Sequence, residues 1–214
     1  YMRVGGVKWD APPGWVDKAK EFVQYIKKEL NNYHQLVTGN EIFINRLRGI
    51  GKFDTKTALD YSLSGVMLRS TGVKWDLRKD EPYCIYDRFE FDVPTATEGD
   101  CMARYHLRMA EIEQSLRILE QALEQFPSEG EVMGKVPRVI RPPAGETYVR
   151  IESPRGEIGC YIASQGKDKP WRLKFRRPSF TNLQILPKLL QGENLSNMVA
   201  ILGSIDIVLG EVDC

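Results

Sequence analysis

The hydrophobic pattern of the chain is organised around one long helical repeat near its middle. Apolar side chains recur there in steps of three and four residues, at Met102, Tyr105, Met109, Ile112, Leu116, Leu119, Leu123 and Phe126. This spacing places them on one face of a helix and is incompatible with a strand. Asp100 is the predicted N-cap, and Pro127 prevents the helix from continuing. We therefore predict a central helix over residues 100–126.

The remaining positions of this helix indicate its surroundings. Four further apolar residues widen the hydrophobic face beyond the narrow seam of a coiled coil: Ala103, Ala110, Ile118 and Ala122. A face of this width favours a helix inside a bundle. On the predicted solvent side, Glu113 and Arg117 are spaced for an i,i+4 ion pair, flanked by Arg108, Glu120 and Glu124.

A second helical repeat precedes the first. Its apolar positions are Trp15, Ala19, Phe22, Ile26, Leu30, Tyr33 and Val37. The same spacing predicts a long helix that ends at Gly39. Shorter helices are predicted over 41–47, from a cap at Asp54 or Thr55 through Tyr61, and over 64–70. Residues 1–8 are predicted to be extended, and the weak alternation in 85–93 predicts a strand.

The C-terminal part carries a different pattern. A proline-rich connector at 127–145 is followed by a predicted hairpin over 146–163 and a third strand over 171–176. The third strand has Trp171, Leu173 and Phe175 on one face and cations on the other. Short helices follow within 182–190 and 195–204.

These patterns predict an α+β fold. It consists mainly of a helical bundle around the long central helix, with a small antiparallel β-sheet near the C-terminal part. The predicted organisation is a helical bundle part at 1–126, a connector at 127–145, and a C-terminal part at 146–214 that holds the sheet, short helices and the tail.

Composition narrows the possible classes of protein. The 214 residues are 42% hydrophobic and 28% charged, with a formal net charge of +1, which is ordinary for a soluble globular protein. The sequence has no uninterrupted apolar run long enough to span a bilayer. Its four cysteines have no CxxC spacing, which favours reduced thiols over a disulfide framework or a zinc site. Because the chain begins at Tyr1 within a pattern, we expect it to be a fragment.

A locally basic stretch raises the question of nucleic-acid binding. Residues 135–177 hold eleven Lys and Arg against four Asp and Glu. Basic strands interleaved with Trp171 and Phe175 could neutralise and stack on a nucleic acid. However, the aromatic side chains lie on the face opposite the cations. We therefore expect no nucleic-acid partner and a strand surface that faces solvent or a partner subunit.

Candidate catalytic groups are sparse. Cys101 and His106 are five residues apart, a poor spacing for facing one ligand on a helix. Common nucleotide, metalloprotease and hydrolase motifs are absent from the sequence. Asp206, Glu211 and Asp213 lie in an apolar tail, where carboxylates must find donors or shift their pKa upward. They could serve acid–base chemistry, hold a metal, or form an exposed acidic terminus, and their spacing leaves these alternatives open.

Three motifs carry a family resemblance. They are SGVMLRSTGVKWDLRK at 64–79, RIESPRGEIGCYIAS at 150–164 with RLKFRRPSFTNLQILP at 172–187, and GSIDIVLGEVD at 203–213. Together they resemble the D subunits of proton-pumping NADH–quinone oxidoreductase, respiratory complex I. Members of that family are nearly twice as long, and this chain looks like their C-terminal portion. It departs from most relatives in its short connector and in ending with Cys214 where they end with Arg.

The resemblance also implies a fold and a site. The family is homologous to the large subunit of nickel–iron hydrogenases, in which a C-terminal CxxC follows an Asp and holds metal. The matching positions after Asp206 are Val208 and Glu211, neither of them a thiolate, and Cys214 lies three residues beyond. Nickel and iron need such soft ligands. The resemblance therefore implies no metal site and no catalytic residue in this chain, and it implies that Asp206 and Val208 bind quinone by lining or supporting its pocket.

The implied function is that of a peripheral-arm subunit. It would help form the quinone-reduction site beside the terminal iron–sulfur cluster and couple electron transfer to proton translocation. No cofactor is expected in this chain; NAD and the iron–sulfur clusters belong to partner subunits, and quinone is the substrate. Expected partners include the subunit that carries the terminal cluster and the membrane subunit of the quinone channel. The expected location is the cytoplasmic side of the cell membrane, as a peripheral part of the complex.

Two other functions stay open from the sequence. One is a hydrogenase-like metalloenzyme subunit, and the other is an assembly scaffold without a direct role at quinone. The family's quinone-headgroup His and Tyr belong to the N-terminal half, which this chain does not include.

Overall fold

The predicted α+β architecture is confirmed in the computed structural model, which describes residues 2–127 and 129–213. In chain order its elements are β1 (Met2–Arg3), β2 (Gly6–Val7), α1 (Trp15–Tyr33), α2 (Glu41–Leu47), α3 (Thr55–Asp60), α4 (Val66–Arg69), α5 (Leu77–Asp80), α6 (Cys101–Glu124), β3 (Gly145–Ser153), β4 (Gly156–Ser164), β5 (Arg172–Arg176), α7 (Pro178–Leu183), α8 (Leu186–Leu189), α9 (Leu195–Ile205) and α10 (Leu209–Val212). A π-helix, His34–Thr38, continues α1, and a 3₁₀ helix spans Tyr86–Arg88.

The central helix α6 begins where the sequence predicts. Asp100 is its N-cap and accepts a hydrogen bond from the Ala103 backbone N–H at 2.8 Å. The helix ends at Glu124, two residues before the predicted end. It contacts α2, α4 and α9 through its first turns and α1 along its length. The helix therefore joins two hydrophobic clusters, one around its N-terminal end and one against α1.

The apolar stripe of α6 is buried only in part. Met102, Met109, Leu116 and Leu123 are buried as predicted. The prediction is wrong for three stripe residues, since the exposed fractions are 39% for Ile112, 45% for Leu119 and 40% for Phe126. The physical reason is that α1 covers one side of the C-terminal half of α6, where its Val23 and Leu30 pack.

The predicted i,i+4 pair on α6 is also wrong. Arg117 lies 3.3 Å from the Asp92 carboxylate and 3.7 Å from that of Glu90, and its predicted partner Glu113 lies 3.8 Å from His34 instead. The reason is that an extended segment, residues 89–93, lies along this face of the helix.

The prediction of a strand over 85–93 is wrong, because this segment is not part of a sheet in the described part of the chain. Phe89, Phe91 and Val93 alternate into a small cluster, but the segment pairs with no strand among the described residues. Instead, Gln121 donates to the Glu90 carbonyl at 2.7 Å and accepts from its N–H at 2.8 Å. Side-chain amides of α6 thus satisfy the backbone groups that a neighbouring strand would otherwise bind.

The second predicted helix is present as α1 with its π-helical extension. It is amphipathic, and Val23 and Leu30 form its buried side. Phe22, which the repeat places on the core face, is 58% exposed. The predicted cap of α3 is resolved in favour of Asp54, which accepts from the Thr57 N–H at 2.9 Å.

The connector is fixed to the N-terminal hairpin of β1 and β2. The Val7 N–H donates to the Val132 carbonyl at 2.9 Å, and the Gly134 N–H donates to the Gly5 carbonyl at 2.9 Å. Its described residues form no helix or strand until β3 begins at Gly145.

The three strands β3, β4 and β5 form an antiparallel sheet in sequence order. Val149 pairs with Cys160, which pairs with Phe175. This register places the apolar residues of β3 and β5 on one face, and they are largely exposed: Val149 59%, Ile151 41%, Trp171 73%, Leu173 48% and Phe175 48%. The described chain therefore leaves one apolar face of the sheet open.

Candidate functional site

Asp206 lies at the C-terminal end of α9, where the chain reverses direction. Its backbone is left-handed, with φ 59° and ψ 54°, and its N–H donates to the Gly203 carbonyl at 3.2 Å. Aspartate is one of the few residues apart from glycine that adopts this conformation readily. The turn leaves the Asp206 side chain 43% exposed and points the tail away from the helix axis.

Two arginines from distant segments flank Asp206. Arg155, in the turn between β3 and β4, donates through Nε to the Asp206 carbonyl at 2.8 Å, and its Nη2 lies 3.7 Å from Oδ1. Arg108, on α6, has Nε 3.8 Å from Oδ2 and donates to the Ser204 carbonyl at 2.8 Å. Burial lowers the pKa of Arg108, and the negative charge of Asp206 opposes that shift. The two arginines thus connect α6 and the hairpin to the end of α9.

Asp206 and Arg108 line two clefts at once. The first cleft, of about 360 Å³, is strongly charged and is lined by Arg69, Arg78, Tyr86, Arg108, Glu111, Ile112, Ser115, Glu152, Ser153, Pro154 and Asp206. The second, of about 380 Å³, is mostly apolar and is lined by Phe43, Leu47, Cys101, Tyr105, Arg108, Val199, Ala200, Gly203, Ser204 and Asp206. The carboxylate therefore lies at the boundary between a charged and an apolar compartment.

A buried ion network forms one wall of the charged cleft. Arg69 is 2% exposed and lies 2.7 Å from Glu111 and 2.9 Å from Glu152, while it also donates to the Trp75 carbonyl. Burial raises the pKa of Glu152, although the Arg69 charge opposes that rise. Because the partners come from α4, α6 and β3, the network fixes the sheet against the central helix.

Val208 occupies a different position from Asp206. It precedes α10, its N–H donates to Ser179 Oγ at 3.4 Å, and its side chain is 39% exposed beside Leu209 at 71%. Within the described part of the chain, Val208 lines neither of the two clefts that Asp206 lines. The two residues predicted to share a site are thus neighbours on one tail, with Asp206 at the clefts and Val208 on the adjoining surface.

The other sequence candidates separate. Glu211 accepts a hydrogen bond from Ser179 Oγ, whereas Asp213 is exposed. Cys101 is buried beside Arg104, and His106 points to solvent, so they do not form a catalytic pair. Among the described residues, no group of three or more His, Cys, Asp and Glu side chains is placed to hold a metal ion. Cys214 lies outside the described residues.

Sequence reasoning misses Arg108 and Arg155. The helical repeat places Arg108 on the solvent face of α6, but α9 covers that position. Arg155 is part of the SPRG turn, and its only signal is its place in a motif that resembles a known family. The sequence pattern alone does not show that either arginine lies close to Asp206.

No helix in the described part of the chain combines the length and the apolarity that crossing a membrane requires.

Comparisons with known proteins cover the whole chain. A family model described as the 49 kDa subunit of respiratory-chain NADH dehydrogenase matches residues 1–143 and 135–214. Among curated proteins, the chain is 74% identical to the D subunit of NADH-quinone oxidoreductase from Geobacillus kaustophilus and 72% identical to that from Geobacillus thermodenitrificans. It is 68% identical to the corresponding protein of Bacillus cytotoxicus. Each alignment covers 100% of this chain and 58% of the relative.

Proposed function

We propose, because this chain belongs to the family of the 49 kDa subunit of respiratory-chain NADH dehydrogenase, that it helps to form the site at which an NADH–quinone oxidoreductase reduces quinone. The chain spans little more than half the length of its relatives. The proposed activity therefore belongs to the assembled enzyme, in which this chain contributes one part of the site.

The observation that carries this proposal is the position of Asp206 between Arg108 and Arg155. Ligand pockets of this kind combine apolar walls with a few convergent polar groups, as the second cleft does. When quinone is reduced, negative charge develops on its oxygens, and positioned guanidinium groups stabilise such charge. The Asp206 carboxylate lies 3.8 Å from the guanidinium group of Arg108, which lines both clefts, and 3.7 Å from that of Arg155.

The exposed surface next to Asp206 supports a site whose other walls come from elsewhere. Val208 and Leu209 present apolar area beside the carboxylate, while Ile207 anchors the tail by packing on the main hydrophobic cluster. We propose that Val208 faces quinone across this surface. The remaining walls would come from the partner subunits and from the part of the relatives that this chain does not cover.

Electrons would reach quinone from outside this chain. The cysteines have no spacing typical of an iron–sulfur cluster, so we propose that partner subunits hold NAD and the iron–sulfur clusters. The terminal cluster, in one of those subunits, would lie beside quinone. The open apolar face of the sheet supports contact with a partner subunit, because patches of this kind mark interaction sites. Peripheral attachment on the cytoplasmic side, contact with the membrane subunit of the quinone channel and coupling to proton translocation belong to the same proposal.

A hydrogenase-like metal centre is disfavoured by the donor set. Val208 offers no ligand atom, and Glu211 offers a hard oxygen that already accepts a hydrogen bond from Ser179. Nickel and iron in such centres require thiolates. We expect elemental analysis of the desalted protein to find no stoichiometric nickel or iron, and one metal ion per chain would support the hydrogenase-like alternative.

The direct test is Asp206→Asn in the assembled complex, since asparagine keeps the shape and the left-handed backbone but removes the charge. We expect slower NADH-driven reduction of ubiquinone-1, with unchanged reduction of ferricyanide, which accepts electrons before quinone. Asp213→Asn, an exposed carboxylate on the same tail, serves as the matched control. Wild-type quinone kinetics in Asp206→Asn would instead favour the assembly scaffold.

A further inference from the structure

We infer that His34, Thr38 and Tyr105 form a proton relay from the protein surface to the apolar cleft that contains Asp206. The inference rests on the proposed reduction of quinone at that cleft. It adds a route by which protons reach the cleft. This route begins at the end of α1, which is distant in sequence from the tail that contains Asp206.

Three side chains are connected in sequence by hydrogen bonds. The His34 ring nitrogen Nδ1 lies 3.0 Å from Thr38 Oγ1. Thr38 Oγ1 lies 2.8 Å from the Tyr105 hydroxyl oxygen. His34 is 37% exposed at the outer end, and Tyr105 lines the apolar cleft at the inner end. The connection therefore runs from solvent to the compartment that also contains Asp206 and Arg108.

The backbone at the outer end is built in an unusual way. His34–Thr38 is a π-helix, closed by a hydrogen bond from the Gly39 N–H to the His34 carbonyl at 3.1 Å. π-Helical turns are rare and occur frequently at functional sites. His34 and Thr38 are four residues apart and are therefore neighbours on one face of this turn, and Thr38 contacts Tyr105 of α6.

The inner end is held in place by aromatic packing. Tyr105 makes an edge contact with Phe43, with ring centroids 4.9 Å apart and planes inclined at 73°. Phe43 lines the same cleft. Because this contact fixes the ring, the Tyr105 hydroxyl is held at Thr38 while the side chain borders the cleft.

These residue types suit stepwise proton transfer. Each imidazole nitrogen can hold or release a proton, and each hydroxyl can donate one hydrogen bond while it accepts another. The His34 proton at Nδ1 moves to Thr38 Oγ1, the Thr38 proton moves to the Tyr105 oxygen, and the Tyr105 proton moves to an oxygen of the reduced quinone. The transfer starts from a His34 ring that carries a proton on both nitrogens and leaves that ring neutral, and the ring then regains a proton from hydronium in the surrounding water.

The balance of the reaction requires this transfer twice. Conversion of quinone to quinol takes up two electrons and two protons. The electrons come from the iron–sulfur carrier proposed for a partner subunit, and each transfer along the relay supplies one proton. Each hydroxyl ends the step with the same number of protons as it began.

Charged and titratable groups surround both ends of the relay. Glu113 Oε1, on α6, lies 3.8 Å from His34 Nε2 on the solvent side. At the cleft, Arg108 and Asp206 are the charged groups. The exposed His106 does not line the cleft, and its ring lies 5.7 Å from that of Tyr105. The relay is thus bounded by a carboxylate at its entrance and by the Asp206 site at its exit.

The decisive variants remove one hydroxyl at a time in the assembled complex. In Thr38→Val, which preserves shape, and in Tyr105→Phe, we expect kcat for ubiquinone-1 to fall by about tenfold or more, with KM unchanged. The decrease in kcat should become larger as the pH rises. The solvent deuterium isotope effect on kcat should be larger in these variants than in wild type. Thr38→Ser should restore kcat, because it returns the hydroxyl. Tyr25→Phe, an exposed hydroxyl on α1, is the matched control and should behave as wild type.

A purely structural role gives a different result. The same hydrogen bonds attach the end of α1 to α6, so a structural role would lower the melting temperature or complex yield and leave the pH profile and isotope effect unchanged. That result, or wild-type kcat in either Thr38→Val or Tyr105→Phe, would overturn the relay.

Asp206→Asn separates the two proposals. Slow quinone reduction in Asp206→Asn with wild-type kcat in Thr38→Val would overturn the relay and keep the proposed function. Wild-type kinetics in Asp206→Asn with slow reduction in Thr38→Val would support proton delivery and place the reaction away from Asp206.

Discussion

Arg155 Nε donates to the backbone carbonyl of Asp206 at 2.8 Å, while Arg155 Nη2 lies 3.7 Å from the Asp206 carboxylate. One guanidinium group thus binds both the main chain and the side chain of the residue at which α9 ends. Asn182 donates to the Arg155 carbonyl at 3.1 Å and so holds the hairpin turn in place. The sheet and the tail are therefore coupled at this point.

The left-handed backbone of Asp206 leads to a prediction about stability. Asp206→Ala should unfold more readily than Asp206→Asn by about 1 kcal/mol, because an ordinary side chain is strained in this conformation, whereas asparagine tolerates it. Asp206→Gly should not show that strain. Chemical denaturation of the three variants measures the order. Equal stability of the Ala and Asn variants would show that the left-handed conformation at Asp206 is not costly.

Only part of this site is predictable from the sequence. Asp206 is identifiable because a carboxylate in an apolar tail stands out against its neighbours. Arg108 and Arg155 are not, because their role depends on the packing of α6, α9 and the hairpin, which no local periodicity encodes. The family motif places Arg155 in a turn, but its contact with Asp206 is a tertiary feature.

The two sides of the α6 stripe should respond differently to truncation. Leu116 is 4% exposed and packs in the cluster with α1, whereas Leu119 is 45% exposed. Leu116→Ala should lower the free energy of unfolding by about 2–5 kcal/mol. Leu119→Ala, the matched control, should change it by less than about 1 kcal/mol. Thermal unfolding measures both, and equal losses would show that the exposed side of α6 is covered in solution.

Most elements are predictable from the sequence. The clearest are α1 and α6, because their three- and four-residue repeats extend over many residues. The error over residues 85–93 has a clear origin. Its alternation agrees with the burial of Phe89, Phe91 and Val93 but not with Ile85, which is 44% exposed. The backbone partners of the segment are the Gln121 and Gln114 side chains on α6. A sequence pattern reports burial and does not identify the group that satisfies the backbone.

The dependence of stability on acidic pH tests the ion pair between Asp76 and Arg78. Burial alone would raise the pKa of Asp76, but the hydrogen bonds and charge of Arg78, at 2.6 Å, outweigh it and hold the pKa below its ordinary value. A carboxyl group whose pKa is lower in the folded state stabilises the fold above its unfolded pKa and loses that contribution as pH falls through the folded pKa. The stabilisation should therefore begin to decline below about pH 4 and disappear as the pH falls through the lower pKa of the folded state.

Comparison with Asp76→Asn isolates this contribution, because asparagine can still cap α5, as Asp76 does. The melting temperature of wild type should exceed that of the variant near neutral pH, and the difference should shrink in acid. Asp168→Asn, in the loop between β4 and β5, gives the baseline. A difference that stays constant across the acid range would contradict the assigned pKa direction.

Val208→Met tests the apolar surface beside Asp206. An extra methylene in a close-packed interior costs about 1–3 kcal/mol, but Val208 is 39% exposed and borders open space. The longer, flexible Met side chain should fit there without strain and narrow the room for a ligand. We therefore expect assembly at wild-type levels, with altered ubiquinone-1 KM and altered inhibitor titration. Val139→Met, a 51% exposed valine of the connector, is the matched control. If Val208→Met matches this control in quinone kinetics while its melting temperature falls, Val208 serves packing and the ligand lies on the Asp206 side of the tail.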